Sequence, residues 1–149
     1  MGLAGLLPGF EEVTGASGLR TQSMSMAGYC PALYDFDNDG WKDLFVSRGH
    51  VEYLPKPGAD IDQVNTVFQN LGASGRWRAL TAEAGFDASP PARHRGCALG
   101  DFDRDGKVDV VVSALGRPAE LWMNRSTGAG HWIDVALQGT DQAFLLLNL

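Results

Sequence analysis

Short apolar runs, broken by glycine, proline and acidic turns, recur along this chain in a fixed order. The first kind is small and apolar: Pro31-Ala-Leu-Tyr34, and again Gly96-Cys-Ala-Leu99. The second is continuously apolar, Leu44-Phe-Val-Ser47 and Val110-Val-Val-Ser113, as expected of a strand covered on both faces. The third is Thr66-Val-Phe-Gln69 and Ala119-Glu-Leu-Trp-Met123. The fourth is Trp77-Arg-Ala-Leu-Thr81 and His131-Trp-Ile-Asp-Val-Ala-Leu137, where Ile133, Val135 and Leu137 alternate at period two. No segment carries a sustained 3.6-residue period with caps, and only 79–85 predicts a helical turn. The pattern is all-β.

The acidic turns set the period. Ala32-Leu-Tyr-Asp-Phe-Asp-Asn-Asp-Gly-Trp-Lys-Asp43 aligns, 66 residues on, with Ala98-Leu-Gly-Asp-Phe-Asp-Arg-Asp-Gly-Lys-Val-Asp109. A second match lies at 67: Phe10-Glu-Glu-Val-Thr-Gly-Ala-Ser-Gly-Leu19 against Trp77-Arg-Ala-Leu-Thr-Ala-Glu-Ala-Gly-Phe86. Residues 1–22 therefore read as the tail of a preceding repeat, and the chain is expected to begin inside a unit. One repeat spans 23–88 with its acidic loop at 35–43, and a second spans 89–140 with its loop at 101–109; 141–149 is an atypical tail. Four strands per repeat is the content of one propeller blade. The expected fold is a partial β-propeller of about two four-stranded blades plus the tail of another. Such an array falls short of a closed ring, so its expected partners are further blades or other copies of itself. Leu44, Val46, Val110 and Val112 are the apolar residues expected at open faces where a neighbour is missing.

Composition agrees with a folded domain: 44% hydrophobic, 20% charged, with 19 glycines and 7 prolines for many turns. No apolar run approaches the ~20 residues of a membrane span. The net charge of −6 matters less than its location. The two nine-residue loops hold eight of the 18 acids, and outside them ten acids face nine bases. Acidity gathered in this way suits cations and disfavours nucleic acid.

Both loops read Asp-x-Asp-x-Asp-Gly-x-x-Asp. Carboxylates at alternate positions of a tight loop converge, and the glycine permits the turn. Four like charges so close repel unless a counter-ion relieves them. Calcium, which takes six to eight oxygens in flexible geometry, suits the set better than magnesium. The expected side-chain ligands are Asp35, Asp37, Asp39 and Asp43, then Asp101, Asp103, Asp105 and Asp109, with the backbone carbonyls of Trp41 and Lys107. Two calcium ions follow. EF-hands are excluded, because position 12 is Val46 or Val112 inside an apolar run rather than a bidentate Glu.

These residues resemble FG-GAP/VCBS-type propeller repeats such as those at the N-terminus of integrin α chains. More closely, they resemble the cartilage acidic protein and ASPIC/UnbV family. The resemblance rests on Tyr34-Asp-Phe-Asp-Asn-Asp-Gly-Trp-Lys-Asp-Leu-Phe-Val46, Arg48-Gly-His-Val51, Phe68-Gln-Asn-Leu-Gly72 and Arg95-Gly-Cys-Ala-Leu-Gly-Asp-Phe-Asp103. Residues 130–140 are similar to the opening of an ASPIC/UnbV domain, and the similarity stops after Thr140. The resemblance implies an extracellular, cell-surface or periplasmic module that binds calcium and serves protein or carbohydrate interaction or adhesion. The N-terminus carries no signal peptide pattern.

Nothing forms a nucleophile–base–orienter set, so the chain is not expected to be an enzyme. The alternative is the scaffold portion of a larger carbohydrate-active lyase or hydrolase. His50, His94 and His131 lack zinc spacing. Cys30 and Cys97 read as small side chains on strands, with a bridge between them left open. Arg93-His94-Arg95 reads as a solvated basic loop or as an anion or carboxylate contact on a propeller face. Trp41, Trp77, Trp122 and Trp132 read as packing residues, Trp41 alternatively as an exposed stacking platform. The long connection 49–64 is a candidate functional loop, and Asn124-Arg-Ser126 reads as a chance sequon.

Overall fold

The computed structural model describes residues 9–51, 60–128, 130–138 and 144–148, with the backbone alone for 134–138 and 144–148. Part of the 49–64 loop, the first eight residues and part of the tail therefore lie outside the described residues.

Each apolar run forms a strand. β1 (Gly28–Tyr34), β2 (Asp43–Arg48), β3 (Thr66–Asn70) and β4 (Trp77–Ala79) make one antiparallel sheet in chain order. β5 (His94–Gly100), β6 (Asp109–Ala114) and β7 (Arg117–Trp122) make a second. Neighbours in sequence are neighbours in space, as short connections require. The expected all-β, blade-like architecture is observed.

The second sheet departs from expectation in one element. The run at 131–137, expected as its fourth strand, becomes β8 (Asp134–Gln138) and pairs with β9 (Phe144–Asn148) of the tail. Register runs from Asp134 opposite Asn148 to Gln138 opposite Phe144. Closing this local hairpin costs less chain entropy than returning to β7.

The sheets stack through a joint built from one face of each. In β2, Asp43, Phe45 and Ser47 are buried towards the second sheet, while Leu44 and Val46 are half-buried on the other side. In β6 the faces are exchanged: Val110 and Val112 look at the first sheet and Val111 looks away. Phe36, Phe45 and Val67 thus meet Val108, Val110 and Val112. Phe86 is wedged between them, its ring 5.7 Å from Phe45 and 4.8 Å from Trp122. Each such side chain contributes about 1.5–3 kcal/mol by leaving water.

A disulfide crosses the same joint. Cys30 on β1 and Cys97 on β5 sit on strands as read and are bonded, with Cα atoms 5.7 Å apart, which closes the bridge that the sequence left open. Arg93-His94-Arg95 is no solvated loop. His94 is 2% exposed and donates from Nδ1 to the Arg48 carbonyl at 2.9 Å. The Arg95 guanidinium lies 4.0 Å over the Tyr29 ring and donates to the Gly49 and His50 carbonyls. Arg93 pairs with Asp62 at 3.4 Å. Ser47 Oγ adds a bond to the Arg95 carbonyl at 2.5 Å.

The N-terminal segment repeats the turn that carries Phe86. Ser17 N donates to Val13 O as Ala84 N donates to Leu80 O, at 2.8 and 2.9 Å. Gly18 and Gly85 close the two turns at φ 84° and 78°. A short helix not expected from the pattern, α1 (Leu19–Ser23), follows the first turn. It is too short for periodicity to reveal, and tertiary contacts hold it. Gln22 donates to Trp77 O (2.9 Å) and accepts from Ala79 N (2.6 Å), covering an open strand edge.

Candidate metal centres

The acidic loops join β1 to β2 and β5 to β6, at the same end of the molecule, and their backbones match bond for bond. Asp35 accepts from Asp39 N and Gly40 N at 3.0 and 2.7 Å; Asp101 accepts from Asp105 N and Gly106 N at 3.1 and 2.9 Å. Trp41 N donates to Asp39 and Lys107 N to Asp105, at 2.8 and 3.0 Å. Gly40 and Gly106 sit at φ 93° and 82°, a region that glycine enters freely. Asn38 and Arg104 occupy the left-handed region at φ 53° and 61°, strain kept in both loops.

Three carboxylates converge in each loop. Oxygens of Asp35, Asp37 and Asp39 lie within 4.8 Å of one another, as do those of Asp101, Asp103 and Asp109. Asp43 is not in the first group, and Asp105 is not in the second. Asp43 is 2% exposed, and its oxygens accept from Phe36 N (3.1 Å) and Asn70 N (2.8 Å). Asp109 is fully buried and accepts from Phe102 N and Asn124 N, both at 2.8 Å. These last aspartates tie the loop to the third strand of its own sheet. Burial pushes Asp43 from its ordinary 3.8 up to about 6, helped by the charges of Asp37 and Asp39 and opposed by its two amide bonds.

The loops differ in what answers their charge. Asp37 Oδ2 accepts from the Gln69 amide at 2.9 Å, while its Oδ1 is shut off from solvent without a hydrogen-bond partner. A shielded carboxylate oxygen is costly unless a cation meets it, so the first donor set fits a hard metal ion. In the second loop Arg125 reaches Asp103 at 2.8 Å and Asp105 at 3.3 Å, and Lys107 Nζ lies 3.8 Å from Asp105. The Arg125 hydrogen bond holds Asp103 below its ordinary range. The second set still offers three clustered carboxylates, with an internal guanidinium beside them.

Asn70 and Asn124 carry roles that the pattern of acids did not reveal. Each receives the loop aspartate at its own N–H and returns its amide to the loop, Asn70 to Lys42 O (3.1 Å) and Asn124 to Val108 O (3.2 Å). Asn124 also donates to Phe36 O at 2.7 Å, across the joint. Its amide is thus engaged in the fold, which bears on its sequon. An asparagine at the end of β3 and another two residues past β7 were the available signal. Trp41 (47% exposed) rests against Gly72, and Trp132 (49%) against Gly106. Trp122 packs in the joint as expected.

A cleft of about 510 Å³ opens between the sheets beside the first loop, lined among others by Asp37, Asp43, Gln69, Phe86 and Arg125. No helix among the described residues is long and apolar enough to cross a membrane.

Part of this chain is similar in sequence to known proteins. Cartilage acidic protein 1 from Homo sapiens is 41% identical over 73 residues, 48% of this chain and 11% of its own length. The Mus musculus protein is 40% identical over 73 residues, and the Xenopus tropicalis protein 37% over 75. The matched stretch spans about a tenth of the length of these relatives. No solved structure matches the chain. The family model of the FG-GAP-like repeat matches residues 35–112, from the first acidic loop through the second and into β6, a little over half of the chain. The chain belongs to the FG-GAP-like repeat family.

Proposed function

We propose that the chain is a non-catalytic, calcium-binding propeller module for protein or carbohydrate interaction, with each ion stapling the turn between the first two strands of a blade. The observation that carries this is Asp37 Oδ1, buried and unpartnered among three carboxylate side chains that converge within 4.8 Å. Asp35, Asp37 and Asp39 hold the first ion, with Asp43 as anchor; Asp101, Asp103 and Asp109 hold the second, with Asp105 joining as Arg125 yields. The Trp41 and Lys107 carbonyls complete the sets. A hard cation supplies charge neutralisation and fixes the loop; the residues position it.

An extracellular location is supported by the Cys30–Cys97 bridge, because such bonds persist in oxidising compartments. The relatives carry cartilage in their name, which accords with an extracellular module.

Calorimetry with wild type, Asp37→Ala and Asp103→Ala tests the metal reading. Two sites of weak to moderate affinity, on the order of 10⁻⁴–10⁻³ M, are expected, and each variant loses one. Isotherms unchanged in both variants reject it. Calcium also raises the melting temperature by mass action without adding helix; a helical spectrum on calcium addition points to a sensor instead.

A further inference from the structure

The second sheet ends in an apolar face whose counterpart one repeat earlier is buried. In the first sheet Ala32, Phe36, Phe45 and Val67 point into the joint. Register maps them onto Ala98, Phe102, Val111 and Leu121. Ala32 and Val67 flank Phe45, as Ala98 and Leu121 flank Val111, and Phe36 and Phe102 hold the same loop position. Yet Phe102 is 51% exposed, Leu121 56%, and Ala98 is exposed as well.

The opposite end of the molecule carries the other half of that joint. The outer side of the first sheet presents Leu33, 62% exposed, beside half-buried Leu44 and Val46. Their counterparts in the second sheet, Leu99, Val110 and Val112, are the residues that receive Phe45 and Val67. The molecule therefore holds both sides of its own internal interface, one on each outer face.

We propose that the chain self-associates head to tail, the Val111–Leu121 face of one copy seating on the Leu33–Leu44–Val46 face of the next. The occupant is a second copy because the internal joint already shows these two kinds of face fitting one another. The second copy also brings its own wedge. Leu19 follows the 13–18 turn as Phe86 follows the 80–85 turn, and Phe86 fills the existing joint. Ser113, the exposed equivalent of Ser47, stands where Ser47 bonds across that joint. Such a contact is heterologous, so it propagates into a ring or an open fibre rather than stopping at a symmetric pair. The proposal deepens the module reading on the side of its partner. It rests on the repeat geometry in that reading and not on calcium.

Sedimentation velocity of the intact chain over a concentration series, with calcium and with chelator, tests it. Wild type gives species that grow with concentration. Leu33→Lys and Leu121→Lys, both at exposed positions, each weaken association at least ~30-fold, because a lysine replaces a leucine that the joint would bury. An equimolar mixture of the two variants forms a dimer and nothing larger, since one intact joint remains between them. The double variant stays monomeric with an unchanged circular dichroism spectrum, and Leu33→Ser with Leu121→Ser repeats the order more mildly. A wild-type monomer at every concentration overturns the proposal, as does a Leu33→Lys variant that still pairs with itself. Oligomers that persist while calorimetry finds no calcium sink the metal reading alone; calcium binding to a lasting monomer sinks the stacking alone.

Discussion

In the loop at 35–43, Asp37 meets the neutral amide of Gln69; in the loop at 101–109, Asp103 meets the guanidinium of Arg125. The backbones are otherwise superimposable in their hydrogen bonds, down to the left-handed Asn38 and Arg104. The same ligand pattern is thus set in two electrostatic surroundings. The first loop is left with a shielded, unpartnered oxygen and a buried Asp43 that resists ionisation. The second carries part of its own counter-charge on an exposed side chain. A repeated motif therefore fixes geometry more tightly than it fixes affinity, because neighbours outside the motif set the field.

The contrast extends to the strands. Phe45 and Val111 are equivalent in the repeat, but Phe45 is fully buried in the joint and Val111 lies half-buried on an outer face. Phe45→Ala is expected to cost about 3–5 kcal/mol, and Val111→Ala about 1 kcal/mol, in urea unfolding of the two variants. Equal costs would erase the distinction between the inner and outer faces. The Cys30–Cys97 tie closes a loop across a sequence separation of 67 residues. Its loss in Cys30→Ser with Cys97→Ser is expected to cost about 4 kcal/mol in the chain-entropy account. The same double variant shows whether the sheets still melt together: a single calorimetric transition means that apolar packing alone couples them.

Smaller effects test the loops themselves. Asp43 has a folded pKa near 6 against an ordinary 3.8, so the native state keeps a proton that the unfolded chain has released between those values. Its contribution to stability therefore falls as pH rises through about 4 to 6 and is gone above that window. Carbon-detected NMR of the Asp43 carboxyl should show this titration in metal-free protein, and calcium should lower the midpoint. A midpoint near 4 without metal contradicts the burial argument. Last, Arg125→Ala removes the internal counter-charge of the second loop. Its calcium affinity should rise about two- to fivefold, in keeping with an exposed ion pair, with the first loop unchanged by calorimetry. A weaker second site would mean that Arg125 supports the loop rather than competing for it.

The acids were legible because their signal is local. Asp35, Asp37 and Asp39 stand at alternate positions around a glycine turn, and a few residues of backbone suffice to bring their oxygens together. Asp43 and Asp109 were legible as members of the pattern but not as anchors, since that role needs Asn70 N at the end of β3 and Asn124 N just past β7. Arg125 was invisible as a counter-ion for the same reason.

By itself the sequence determined the period of the repeat, the strands within it, the two turns and the chemistry gathered in them. Alternation and tight-turn geometry act over a handful of residues and need no partner. Only the tertiary structure decided that Cys30 meets Cys97, that Phe45 faces inwards while its equivalent Val111 faces out, and that 134–138 pairs with 144–148 rather than with β7. Each of these depends on which surface arrives opposite. Equivalent residues carry the same local instructions, and the presence or absence of a neighbouring sheet separates their fates.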